Sequence, residues 1–283
     1  MLRLAALLTT LTALAITTAT ATAAEPQTET ATSPTVTATF THRDAGDGKW
    51  TDMNVTVVRA GVQVYSGVPK LKDCPAPYCA PFAPVGDEPS IKVLDVSGDG
   101  EPEVIVNFYS GGAHCCEIAW VLRWTGTTYK PAERNFADFG YTIVPAASAD
   151  FPAAFVTGDA RFAYEFASFA DSAFPLRVFT LDHGTWSDQT LAHEDGIRAD
   201  AAKWLKAYNK RRDGRRALGL LAAYVADEYL LGHEDKADAL LAHELKAGRL
   251  KSLTPWPGGK AYIKLLKKDL KKWGYVIRRG ATL

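Results

Sequence analysis

Residues 95–103 read DVSGDGEPE, with oxygen-bearing side chains at the first, third, fifth and ninth positions: Asp95, Ser97, Asp99 and Glu103. Gly100 stands sixth. A hard cation such as Ca²⁺ takes roughly six to eight oxygens, and a tight loop delivers them from alternating side chains plus one main-chain carbonyl. Glu101, at the seventh position, would give that carbonyl, and Gly100 permits the turn. An EF-hand would place a bidentate Glu at the twelfth position between helices. Here that position is Val106 and the residues around it read as a strand, so the spacing predicts a strand-flanked calcium loop. The same residues also fit an Asp/Gly-rich turn whose carboxylates bond their own backbone.

Four cysteines form two close pairs, Cys74 with Cys79 in DCPAPYC and Cys115 with Cys116 in SGGAHCC. An even count in an exported chain argues for disulfides, and this spacing is not a usual zinc pattern. Two cross-links tying the 74–79 loop to the 115–116 turn are favoured, because bridging neighbours strains the peptide between them. The alternative joins Cys74 to Cys79 and Cys115 to Cys116. His114 reads as a turn residue. His193-Glu194-Asp195, His233-Glu234-Asp235 and His243-Glu244 read as solvated helical faces, since none forms H-E-x-x-H. No G-x-S-x-G elbow, phosphate-binding Walker loop or dinucleotide fingerprint occurs, and no catalytic residue is assigned.

The elements that must carry these residues change character along the chain. Arg3 precedes the apolar run LAALLTTLTALAI and the small residues TTATATAA, which predicts a removable signal peptide over 1–24 and a secreted or extracytoplasmic location. EPQTETATSPT, residues 25–34, reads as a flexible linker. From 35 to 190 short runs such as TVTATFTH, MNVTVVRA, VQVYSG, IKVLDV, EVIVNFY, EIAWVLRW, FAYEFASF and LRVFTLDHG predict an antiparallel β domain. From 191 to 283 the apolar period becomes helical, through AAKWLKAYN, ALGLLAAYVADEYLL, ADALLAHELK and AYIKLLKKDLKKW. The fold class is therefore α+β, with a small helical domain expected to separate cleanly from the β part. The net charge of zero hides an asymmetry: from Thr190 onward Lys and Arg number 20 against 11 Asp and Glu, and 12 against 21 before it. KRRDGRR at 210–216 and KLLKKDLKKW at 264–273 could meet an anionic surface or form the solvated backs of packed helices.

DVSGDGEPE followed by an alternating apolar strand resembles the calcium loops of FG-GAP and VCBS repeats, the blades of integrin-alpha-like β-propellers. The resemblance implies a calcium site of Asp95, Ser97, Asp99, the Glu101 carbonyl and Glu103. Ser97 departs from the usual Asp or Asn, and Phe139-Gly140 lacks a following Ala-Pro. VTGDARFAYEFASF with LRVFTLDHGTWSDQT looks like a second, degenerate blade. About 155 residues cannot close a propeller, so an incomplete propeller-like stack or sandwich of two or three sheets is expected. The function this predicts is non-enzymatic binding or scaffolding outside the cytoplasm, toward an extracellular protein or polymer and not a nucleic acid. The rival reading is a secreted hydrolase using the acidic loop on cell-wall or carbohydrate material.

Overall fold

The computed structural model describes residues 24–83 and 89–277. The signal peptide expected over 1–24 lies, apart from Ala24, outside the described residues. Among them no helix is long and apolar enough to cross a membrane.

Three antiparallel sheets follow one another along the chain. The first is a meander of β1 (Gln27–Thr32), β2 (Val36–Gly46), β3 (Lys49–Arg59) and β4 (Val62–Gly67). The middle sheet holds β5 (Ala80–Pro81), β6 (Ile91–Leu94), β7 (Glu103–Tyr109), β8 (Glu117–Trp124) and β9 (Tyr129–Asn135), with β5 and β6 both pairing β7. The third is β10 (Thr142–Val144), β11 (Ala154–Gly158), β12 (Leu176–Asp182) and β13 (Thr185–Asp188).

The alternation of side chains along β7 and β8 explains why the sheets stack. Val104, Val106, Phe108, Ile118, Trp120 and Leu122 join Phe40, Val55 and Val57 of the first sheet in one core. Ile105, Ala119 and Val121 point the other way and meet Phe155, Phe179 and Leu181 of the third sheet in another. With both faces covered, β7 and β8 are buried almost throughout, and their sequence runs apolar instead of alternating.

After the sheets come α1 (Glu194–Arg211), α2 (Leu218–Leu230), α3 (Glu234–Lys246) and α4 (Gly259–Lys272). Every residue of α2 is buried, which makes it the axis of a third core. The α+β order, sheets first and helices after, is the one read from the sequence.

Two expectations are corrected. Residues 25–34 are no linker: Gln27–Thr32 pairs with β2 from Gln27↔His42 to Thr32↔Thr37. Glu29 fastens this strand, accepting from the Ser90 hydroxyl at 2.9 Å and meeting the buried His42 ring at 2.8 Å. FAYEFASF is not a strand but a run of tight turns flanked by 3-10 segments. Phe162 and Phe166, four apart, are both buried, whereas Tyr164, which a strand would put on their side, is 51% exposed. That segment also packs on the helices, with Phe162, Phe166 and Ala173 in the same core as α1 to α4.

Candidate functional site

Strands β6 and β7 pair up to Leu94↔Glu103, so residues 95–102 form the loop between them and Glu103 opens β7. Gly98 and Gly100 take φ of 75° and 86°, in the left-handed region that glycine occupies at little cost. At Gly98 space matters too, since an added Cβ would run into the Ser148 carbonyl.

The side chains fold inward over this frame. Asp95 accepts from the N–H of Gly98 at 2.6 Å and of Gly100 at 2.9 Å. Glu103 accepts from the N–H of Val96 at 2.9 Å and of Ser97 at 3.3 Å. The Ser97 hydroxyl lies between them, 3.5 Å from Asp95 and 3.3 Å from Glu103. Asp99 accepts from the Glu101 N–H at 2.8 Å, and the Glu101 side chain leaves the loop to pair with Arg59. Glu103 is 1% exposed. Burial pushes its pKa up to about 7, helped by the like charges of Asp99 and Asp95 and opposed by the two N–H donors.

Among the described residues no three His, Cys, Asp or Glu side chains form a group arranged to hold a metal ion. What does meet is the trio Asp95, Ser97 and Glu103, all hard oxygen donors of the kind calcium takes. Asp99 is engaged with the backbone of its own loop. The carboxylates thus have the self-bonded arrangement of an acidic turn and the donor chemistry of a cation loop at once.

The loop also touches the first sheet and the segment that leads into the third. Glu101 pairs with Arg59 at the end of β3, whose guanidinium lies 5.1 Å from the Trp124 ring on β8. Gly98 packs on Ser148, and the Val96 carbonyl accepts from the Ala153 N–H at 2.8 Å, both in the approach to β11. Sequence reading named five candidate ligands, of which Asp95, Ser97 and Glu103 meet, and missed Arg59 and the close approach at Gly98. Arg59 carries no local signal, whereas a second glycine inside the loop was visible.

The cysteines pair within each neighbourhood, Cys74 with Cys79 and Cys115 with Cys116, so the favoured cross-links between the two loops are not formed. Cys74 and Cys79 have Cα atoms 5.1 Å apart, within reach of a bridge, and both are 2% exposed in the core under the first sheet. The Tyr109↔Glu117 pairing leaves 110–116 as a tight connection of its own, closed by the Ser110 N–H to Cys116 carbonyl bond at 3.0 Å. His114 sits in that turn, stacked at 4.0 Å on Phe169 and 3.6 Å from Asp138. On the helices, His243 is exposed as expected, but Glu244 is buried and accepts from the Tyr208 hydroxyl at 2.8 Å. Glu228, also buried, holds His233 at 2.9 Å and Lys236 at 2.7 Å.

No family model matches the chain, and no solved structure does. Over 153 residues, 52% of this chain and 45% of the relative, it is 29% identical to a probable thylakoid lumen protein of Synechocystis. Over 139 residues, 48% of this chain and 22% of the relative, it is 27% identical to an uncharacterized protein of Sinorhizobium fredii. The matched stretch spans less than half the length of each of these curated relatives.

Proposed function

We propose that this chain is an extracytoplasmic, non-enzymatic binding or scaffolding protein whose stacked sheets are locked together at the 95–103 loop by a structural calcium ion. The observation that carries the reading is the position of the loop, joined to Arg59 of the first sheet, to β7 of the middle one and to Ser148 and Ala153 beside the third. An ion held there would fix three sheets with one set of ligands. Asp95, Ser97, Asp99, the Glu101 carbonyl and Glu103 are the residues assigned to it, in a manner resembling FG-GAP and VCBS repeats. The compartment is supported by the leader-like N-terminus and by the name of the Synechocystis relative, a probable lumen protein. A carboxylate as buried as Glu103 lies out of reach of a polymer, which favours a structural role over acid catalysis. The partner face assigned is the basic stretch Lys210–Arg216, which runs from the last residues of α1 into the turn before α2. By contrast, the Tyr262, Leu266 and Leu270 stripe of α4 is spent on the helical core.

Thermal melts of the mature protein with and without Ca²⁺ test this. Binding to the folded form alone stabilises it by about 2.7 kcal/mol at a hundredfold excess over Kd, with Kd on the order of 10⁻⁴ to 10⁻³ M as in extracellular modules. Asp99→Ala is expected to abolish the shift while leaving the calcium-free melt unchanged or slightly higher. A wild-type melt indifferent to several millimolar Ca²⁺ (a range set by that Kd) would leave the loop as an acidic turn.

A further inference from the structure

Where β9, the third sheet and the turn after β11 meet, there is an open cavity of about 250 Å³ that no residue of the 95–103 loop lines. Three arginines line it: Arg134 near the end of β9, Arg161 in the turn after β11, and Arg177 on β12. Two are matched by acids. Arg161 donates through Nε to Asp159 at 2.8 Å and through Nη1 to the Trp273 carbonyl at 3.1 Å, and Asp159 accepts a further bond from the Tyr275 hydroxyl at 2.7 Å. Arg177 pairs with Asp188.

Arg134 is not matched. No carboxylate pairs with it among the described residues, and its Nε is buried without a hydrogen-bond partner. Its guanidinium carbon lies 3.2 Å from the Phe179 ring centroid and 5.6 Å from that of Phe136. Burial pushes its pKa down to about 10, with Arg177 acting the same way and Asp188 against it. Three cations and two carboxylates leave one positive charge facing a small, part-aromatic space. A guanidinium presents a planar fork of donors that suits carboxylate and phosphate oxygens. Pockets for drug-sized ligands run from roughly 300 to 1,000 Å³, so this one admits only a small molecule.

We propose that this cavity binds a small oxyanion, a carboxylate- or phosphate-bearing molecule, with Arg134 as its principal ligand and Arg177 beside it. The site goes beyond the calcium-lock reading and does not depend on it. Its test is calorimetric titration of the calcium-free mature chain with inorganic phosphate and, separately, with malonate, at an ionic strength held constant with sodium chloride. Saturable binding of one anion per chain is expected, with the tighter of the two naming the head group. Arg134→Met, which keeps much of the stem and removes the charge, should weaken binding roughly tenfold or more, and Arg134→Lys, which keeps the charge and loses the fork, by less. Arg215→Ala with Arg216→Ala, in the exposed basic turn, should leave the affinity unchanged. Should Arg134→Met fail to fold, the lysine variant decides alone: unaltered affinity overturns the proposal. It is equally overturned if neither anion binds the wild type saturably, or if the basic-turn variant loses binding as fully as the Arg134 variants.

Discussion

Asp227, at the heart of the helical core, should make the protein lose stability as pH rises. It sits on α2 with 0% exposure, and both its carboxyl oxygens lack a hydrogen-bond partner. Burial, and then the neighbouring Asp200 of α1, push its pKa up to about 9 from an ordinary 3.8, although Lys203 works the other way and Glu228 adds to the rise. Asp200 also accepts from the indole N–H of Trp204 at 2.8 Å and the main-chain N–H of Leu176 at 2.9 Å. The folded chain therefore keeps a proton here that the unfolded chain gives up. The stability this contributes is fully present below pH 3.8 and is lost as pH climbs toward 9. The loss runs at about 1.4 kcal/mol per pH unit, or about 4 kcal/mol between pH 5 and pH 8. Asp227→Asn replaces the neutral acid with an amide of similar shape that does not titrate. Urea unfolding of wild type and variant at pH 5, 6.5 and 8 isolates the effect, because groups common to both cancel in the difference. The variant should gain on the wild type by about 4 kcal/mol across that range. A difference that stays constant with pH would refute the reasoning and require Asp227 to be ionised in the folded core.

Other outcomes follow from single contacts. Gly98→Ala should cost about 1–3 kcal/mol in chemical unfolding, since it adds a Cβ against the Ser148 carbonyl at a left-handed φ; an unchanged midpoint would contradict that approach. Cys74→Ser with Cys79→Ser should cost about 2 kcal/mol through the lost closure of a short loop, read as a lower unfolding midpoint with unchanged circular dichroism at low denaturant. A chain ending at residue 190 should be aggregation-prone, because Phe162 and Phe166 lose the helices that cover them. A soluble, cooperatively melting fragment of that length would mean that the sheets close without α1 to α4.

The sequence made the order of strands and helices legible because the period of apolar residues changes near 191, and strands such as EVIVNFY stand out when both their faces are covered. It concealed β1, whose TETAT has too little apolar character to mark an edge strand; that strand is held by Glu29 with His42 and Ser90, partners 13 and 61 residues away. FAYEFASF failed for the opposite reason. Its aromatic residues suit a strand by type, but their spacing of four serves a turn buried against helices. In the loop, residue types and spacing named the candidate ligands, while the ties to Arg59 and Ser148 depend on how three sheets are brought together and leave no local trace. Glu244 read as a surface acid for the same reason: burial is a property of the assembled helices.

The succession of sheets along the chain sets a timetable for folding. Nearly every strand pairs with its immediate neighbour in sequence, the exception being β5, which reaches past β6 to β7. Contacts between sequence neighbours close quickly, with little entropy to overcome, so a chain delivered N-terminus first can complete the first meander before the last strands emerge. That meander has one apolar face and nothing yet to cover it until β7 and β8 arrive, and the middle sheet in turn waits for β11 and β12. The turn carrying Phe162 and Phe166 waits longest, for α4 and Tyr275 close to the end of the described chain. Any holdase that protects this protein during folding therefore has the aromatic turn between β11 and β12 as its natural target, and its release should coincide with the docking of the last helix.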